Sequence, residues 1–185
     1  MIQVAFITGR SDPSSCALSP LQQDFLSRLE GPIMRRHPTN FPYDTGPSAH
    51  RATLLPLAGL RNAGDYLVSR HARFAARHLG AVSALLGTVP HTILLAGSCG
   101  LELLVNLRLP VSTLERVSVF AYGPVARSLP ACRCFLIQGQ RDRLSRWFHT
   151  HVDQVVDCGH LDYLKSPAVL EACNAFIASK QGRPA

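Results

Sequence analysis

The stretch His91-Thr-Ile-Leu-Leu-Ala-Gly-Ser-Cys-Gly-Leu-Glu-Leu-Leu-Val-Asn-Leu107 decides the reading of this chain. Thr92 to Leu95 is an apolar run of strand character. It ends in the small-residue turn Ala96-Gly97-Ser98-Cys99-Gly100. An apolar, helix-like segment, Leu101 to Leu107, follows without a gap. A buried strand that turns sharply into a helix needs small residues around the apex. Centred on Ser98, the positions two before and two after are Ala96 and Gly100, giving the form A-x-S-x-G. That pattern sets a serine hydroxyl on an exposed, strained turn. Taken alone, it is also compatible with a plain strand-helix connection.

Outward from this stretch, strands alternate with helical segments. Ile2 to Ile7 reads as a first strand, followed by turn chemistry at Thr8 to Pro13. Ser19 and Pro20 suit an N-cap and a first helical residue, opening a helix to about Glu30. Ile33 to Arg36 is a short second strand, and His37 to Pro47 a loop whose Phe41 and Tyr43 are expected to pack. Ser48 to Leu86 is helical, with a break expected at Pro56 and Gly59. Arg70, Arg73 and Arg77 form a solvated stripe on the longer piece. After the His91 stretch come strands at Val117–Ala121, Arg133–Ile137 and Gln154–Val156. A short helix is expected over Leu144 to His149 and an amphipathic one over Pro167 to Ala178; Gln181 to Ala185 reads as a frayed tail. The order implies one α/β domain over residues 1–185, with a parallel sheet covered on both faces.

Composition narrows the class. The 185 residues are 46% apolar and 17% charged, enough for one real core. The net charge is +7, and all but two of the 19 basic residues are arginine. They are scattered, with no aromatic-interleaved basic patch, so nucleic acid is not an expected partner. No run reaches the roughly 18 apolar residues of a membrane span. Met1 leads straight into strand pattern, without a signal-peptide layout. Six dispersed cysteines then read as reduced thiols in a cytoplasmic protein. Cys132-x-Cys134 lacks metal-finger spacing, and His149-x-His151-x-Asp153 reads as polar surface, so neither metal nor cofactor is expected.

Ligands of open parallel sheets bind beyond the carboxyl ends of the strands. The polar residues there include Thr8 to Asp12, Ser98, Asp142 and His160, each group after a different strand. Ser98 would be a nucleophile, His160 its base, and Asp142 the group that orients the imidazole. Asp157 and Asp162 are rival acids, and Cys99 a rival nucleophile. Centring the turn on Cys99, however, puts bulky Leu101 where a small residue is needed. A developing oxyanion would need two donors: the backbone N–H of Cys99 and one from the first-strand loop, Arg10, with Ser11 as its neighbour.

LLAGSCG, FLIQGQRD and VVDCGHLDYL, in that order, resemble the nucleophile, acid and histidine segments of the α/β-hydrolase superfamily. The resemblance spans nearly the whole chain. It implies a six-stranded sheet of order 2-1-3-4-5-6, without the superfamily's two N-terminal antiparallel strands. Thr8-Gly9 stands where a His-Gly pair is common. Only Tyr122 to Cys132 separates the fourth and fifth strands, which leaves no room for a cap domain and implies a shallow, open site. The activity implied is a serine hydrolase that cleaves a small-molecule or carrier-bound ester or thioester. Acyl transfer with the same residues, or a fold kept as an idle binding module, are the alternatives. A homo-oligomer is left open.

Overall fold

A computed structural model describes residues 1–31, 34–43 and 49–181. Pro32, Ile33, Asp44 to Ser48 and the tail beyond 181 lie outside the described residues. The elements are β1 (Ile2–Ile7), α1 (Pro20–Ser27), β2 (Met34–Arg36), α2 (Leu55–Ser69), α3 (Ala72–Gly87), β3 (His91–Gly97) and α4 (Gly100–Asn106). Then come α5 (Val111–Leu114), β4 (Val117–Tyr122), β5 (Arg133–Gly139), α6 (Arg143–Phe148), β6 (Gln154–Val156), a 3₁₀ turn (Tyr163–Lys165) and α7 (Pro167–Gln181). The six strands form one sheet of order β2-β1-β3-β4-β5-β6, as expected. Every pairing is parallel.

Side-chain alternation along the strands divides the core into two layers. Ala5 and Ile7 of β1 and Leu94 and Ala96 of β3 join Phe74, Val82 and Leu86 of α3 and Leu101, Leu103 and Leu104 of α4. Val4, Phe6, Ile93 and Leu95 point the other way, onto Phe25 and Leu26 of α1 and Val169, Cys173 and Phe176 of α7. Phe41 and Tyr43 are buried in the first layer. All six cysteines are free. Among the described residues no helix is long and apolar enough to cross a membrane.

Local chemistry sets the helix ends. Ser19 caps α1 in a reciprocal box: its side chain accepts from the Gln22 N–H, and the Gln22 side chain accepts from the Ser19 N–H. The expected break at Pro56 and Gly59 is not there. Pro56 falls in the first turn of α2, where its missing N–H has no intrahelical partner to lose. Gly59 runs within the helix. The chain turns instead after Ser69, where the Arg70 and His71 N–H groups close tight bonds to Leu67 and Val68 carbonyls. Asn106 of α4 donates to Ser69 Oγ at 3.0 Å, which fixes that corner to the core.

Helix α2 is amphipathic in an unusual sense. Ala58, Asn62 and Tyr66, at i, i+4 and i+8, face a cavity at the strand ends. Leu54, just before the helix, and Leu60 and Leu67 within it are 79%, 69% and 56% exposed. Beyond the first turn, where Leu55 also lines the cavity, small and polar residues face inward and leucines outward.

Candidate active site

Ser98 stands at the carboxyl end of β3 with φ +50°. That is left-handed backbone, rare for a residue with a Cβ and costing on the order of 1 kcal/mol. Neighbours hold it there: its N–H donates to the Tyr122 carbonyl at 3.2 Å, and its carbonyl accepts from the Val125 N–H at 2.9 Å. A Cβ on Gly100 would overlap the Ile7 carbonyl of β1, so the demand for smallness two residues on comes from the neighbouring strand. The tighter demand before the apex lies one residue nearer than Ala96. A Cβ on Gly97 would run into the Tyr122 ring.

Asp142 sits just past β5 and caps α6, where its Oδ1 accepts from the Ser145 N–H at 3.0 Å. Its side chain is buried. Oδ2 accepts from His160 Nδ1 at 2.8 Å and from the Tyr163 hydroxyl at 2.7 Å. Tyr163 is fixed in turn, because its hydroxyl accepts from the Gly139 N–H at 2.7 Å. Burial pushes the Asp142 carboxyl up, but the bonds from His160, Ser145 and Tyr163 outweigh it and hold it below the ordinary carboxylate range. A carboxylate only accepts, so His160 Nδ1 carries the proton. In the neutral ring Nε2 then offers its lone pair to the Ser98 hydroxyl, whose Oγ lies 3.1 Å away. The structure thus joins Ser98, His160 and Asp142 in one hydrogen-bonded chain. The rival acids lie outside it: Asp157 pairs with Arg141 at 3.2 Å, and Asp162 with Lys165 at 3.4 Å.

Cys99 is buried at the N-cap of α4, its backbone next to Ser98. Burial, with the negative charge of Asp65, pushes its thiol up to about 12, so it stays protonated near neutrality and is a poor nucleophile. Arg10 departs from expectation. Its backbone N–H donates to Asp65 Oδ2 at 2.7 Å, and its guanidinium pairs with Asp65 Oδ1 at 3.0 Å and lies over the Tyr43 ring. An N–H held by a carboxylate is not available to an oxyanion. Asp65 ties the β1–α1 loop to α2 through both of these groups.

The site is open, but it has a wall on a second side. A cavity of about 510 Å³ opens over Ser98 and His160. Its far wall is α2, with Leu55, Ala58 and Tyr66, and Phe148 of α6 meets Tyr66 edge-on at 6.1 Å between ring centres. The short β4–β5 connection carries no cap, as expected, but α2 supplies a wall. Tyr163 and Asp65 had no signal of their own in the sequence, and Gly97 was read only as part of the small-residue turn. Tyr163 stands within the histidine segment, three residues after His160, while Asp65 lies in no recognised motif. Among the described residues no cluster of three or more His, Cys, Asp or Glu side chains could hold a metal ion.

The sheet order, the serine on a strained turn after β3 and the strand-end placement of the acid and histidine give an α/β-hydrolase-like fold. A solved structure similar over 96% of this chain and 88% of its own is alpha/beta hydrolase domain-containing protein 10 from mouse, at 13% sequence identity and a TM-score of 0.50. Likeness at that identity concerns the fold alone. No protein-family model matches the sequence, and no curated protein matches it.

Proposed function

We propose that the protein is a serine hydrolase of carboxylic esters or thioesters. The observation that carries this reading is the chain Ser98 Oγ to His160 Nε2 at 3.1 Å and His160 Nδ1 to Asp142 Oδ2 at 2.8 Å. His160 takes the Ser98 proton as Oγ attacks the acyl carbon, and Asp142 stabilises the imidazolium that forms. The tetrahedral oxyanion is met by the Cys99 N–H at the start of α4. Collapse expels the alcohol or thiol, which takes the proton from His160, and leaves an acyl-Ser98 ester. Water, deprotonated by His160, then attacks that ester and releases the acid.

The cavity supports an apolar acyl group, free or presented by a carrier. Leu55, Ala58, Tyr66, Val125 and Phe148 line it, and its volume lies within the range of small-molecule sites, roughly 300–1,000 Å³. Leu144 and Leu161, both exposed, continue the apolar lining to the rim. A reducing, cytoplasmic setting fits the six free thiols.

A fluorophosphonate probe tests the chemistry. Labelling of the wild type that disappears in Ser98→Ala supports the hydrolase. An unlabelled wild type that also leaves acyl p-nitrophenyl esters and acyl-thioesters intact sinks it.

A further inference from the structure

In the hydrolase reading the Cys99 N–H is one oxyanion donor, while the Arg10 N–H expected as the second is held by Asp65. Asn62, on the cavity face of α2, lines the same cavity as Ser98, Cys99 and His160. Its Oδ1 is buried without a hydrogen-bond donor. That oxygen lies 2.7 Å from the point where a Gly9 Cβ would stand, and Cys99 Sγ lies 2.8 Å from the same point. The amide is therefore wedged between the β1–α1 loop and the residue that follows Ser98. With Oδ1 turned inward, the Nδ2 amide is the end left to the open part of the cavity. Among the described residues no acceptor takes its protons.

We propose that Asn62 supplies the second oxyanion donor through Nδ2, opposite the backbone N–H of Cys99, in the hydrolase reading given above, on which this inference rests. A side-chain amide serves here as well as a backbone N–H, because the charge on the acyl oxygen develops only as Oγ bonds to the carbon. The placement also accounts for residue 9. Any side chain there would displace the amide. Asp65, one turn further along α2, holds the adjoining loop by Arg10, so the amide and the loop it packs on are fixed by the same helix.

The test compares wild type, Asn62→Ala, Asn62→Asp and Asn62→Ser with a p-nitrophenyl ester, and titrates each with phenylboronic acid, whose tetrahedral Ser98 adduct mimics the intermediate. Removing one such donor lowers kcat by about 10²- to 10³-fold. The expected result is that loss in the Ala and Asp variants, with KM within about threefold of wild type and melting temperatures unchanged. Boronate affinity should fall in parallel with kcat/KM across the series, and Ser, which keeps a donor hydroxyl, should recover part of both. A merely structural Asn62 would not make inhibitor affinity track kcat/KM. An active wild type whose Ala and Asp variants keep kcat within twofold overturns this assignment and leaves the hydrolase reading standing. So does a fall in kcat without a matching fall in boronate affinity. A wild type that neither turns over esters nor labels at Ser98 overturns both.

Discussion

The two walls of the cavity are built on opposite terms. The strand-end wall, carrying Ser98, Asp142 and His160, is dense with fixed polar contacts. Asp142 accepts three hydrogen bonds, and the Ser98 backbone is pinned on both sides. The helical wall, α2, buries only Ser69 fully and turns its leucines to solvent. It is held to the body by a few polar ties: Asp65 to Arg10 and Ser69 to Asn106. A group that moves a proton needs its partners fixed to a fraction of an ångström, and neighbouring parallel strands supply that. On α2 only Asn62, the proposed oxyanion donor, has such a demand; the outer face of the helix has none. Changes at the strand ends should therefore be costly, and changes on the outer face of α2 nearly silent.

The sharpest break in that contrast is at Asp142. Asp142→Asn keeps the shape but offers His160 an amide, which favours the wrong tautomer. A fall in kcat of about 10⁴-fold is expected, read from steady-state ester hydrolysis. Loss of less than tenfold would mean that His160 does not depend on this partner. The same carboxylate has a pH signature. Its folded pKa is depressed, so its contribution to stability is complete above the ordinary carboxylate value of about 3.9 and is lost as pH falls through the lower folded value. Denaturation midpoints of wild type and Asp142→Asn should therefore converge on acidification below pH 4.

Gly100→Ala should cost about 3 kcal/mol or more, because the new methyl meets the Ile7 carbonyl, a backbone group of a central strand that cannot swing aside. Chemical denaturation gives the number. A variant as stable as wild type would show that the elbow has slack, and the contrast between the walls would weaken.

Much of the strand-end wall was legible in the sequence. The apolar run before Ala96 has strand character and the segment after Gly100 helical character, and Asp142 and His160 each follow a short apolar strand. Local pattern therefore placed all three at one edge of the sheet. Tyr163 on Asp142 and Asp65 on Arg10 are pairs between residues distant along the chain, which periodicity does not register. The α2 wall was read less well for a different reason. Pro56 and Gly59 are punctuation in isolation, but Pro56 falls where a helix tolerates it, and the actual stop at Ser69 depends on contact with α4. Nor does a count of leucines reveal which face a helix buries. On α2 the small and polar face goes inward.

Glu102 extends the contrast to the loop behind Ser98. It is fully buried in α4, yet it was read only as part of an apolar run. Its carboxylate accepts from the Arg127 backbone N–H at 2.9 Å and pairs with the Arg127 guanidinium at 2.8 Å. Those contacts hold the β4–β5 connection, whose Val125 N–H grips the Ser98 carbonyl. Arg127 is half exposed and can turn to water, so the cost of Glu102→Ala should lie near 2 kcal/mol, the lost buried hydrogen bonds, rather than at that of a stranded buried charge. Esterase activity should fall alongside stability, since the strained serine loses one of its supports.

The smallest effect tests the other wall. Leu60→Gln on the outer face of α2 removes no buried contact: the side chain is 69% exposed and does not line the cavity. Glutamine is nearly as good a helix former as leucine, so stability should change by no more than about 0.5 kcal/mol. Hydrolysis of soluble short-chain esters should be unchanged as well. Ala58→Phe, two residues earlier and facing inward, should leave stability equally untouched while shifting preference toward shorter acyl chains, because the ring would occupy cavity space and not core. If Leu60→Gln instead unfolds the helix, α2 depends on its outer face, and the two walls differ less in kind than their contacts suggest.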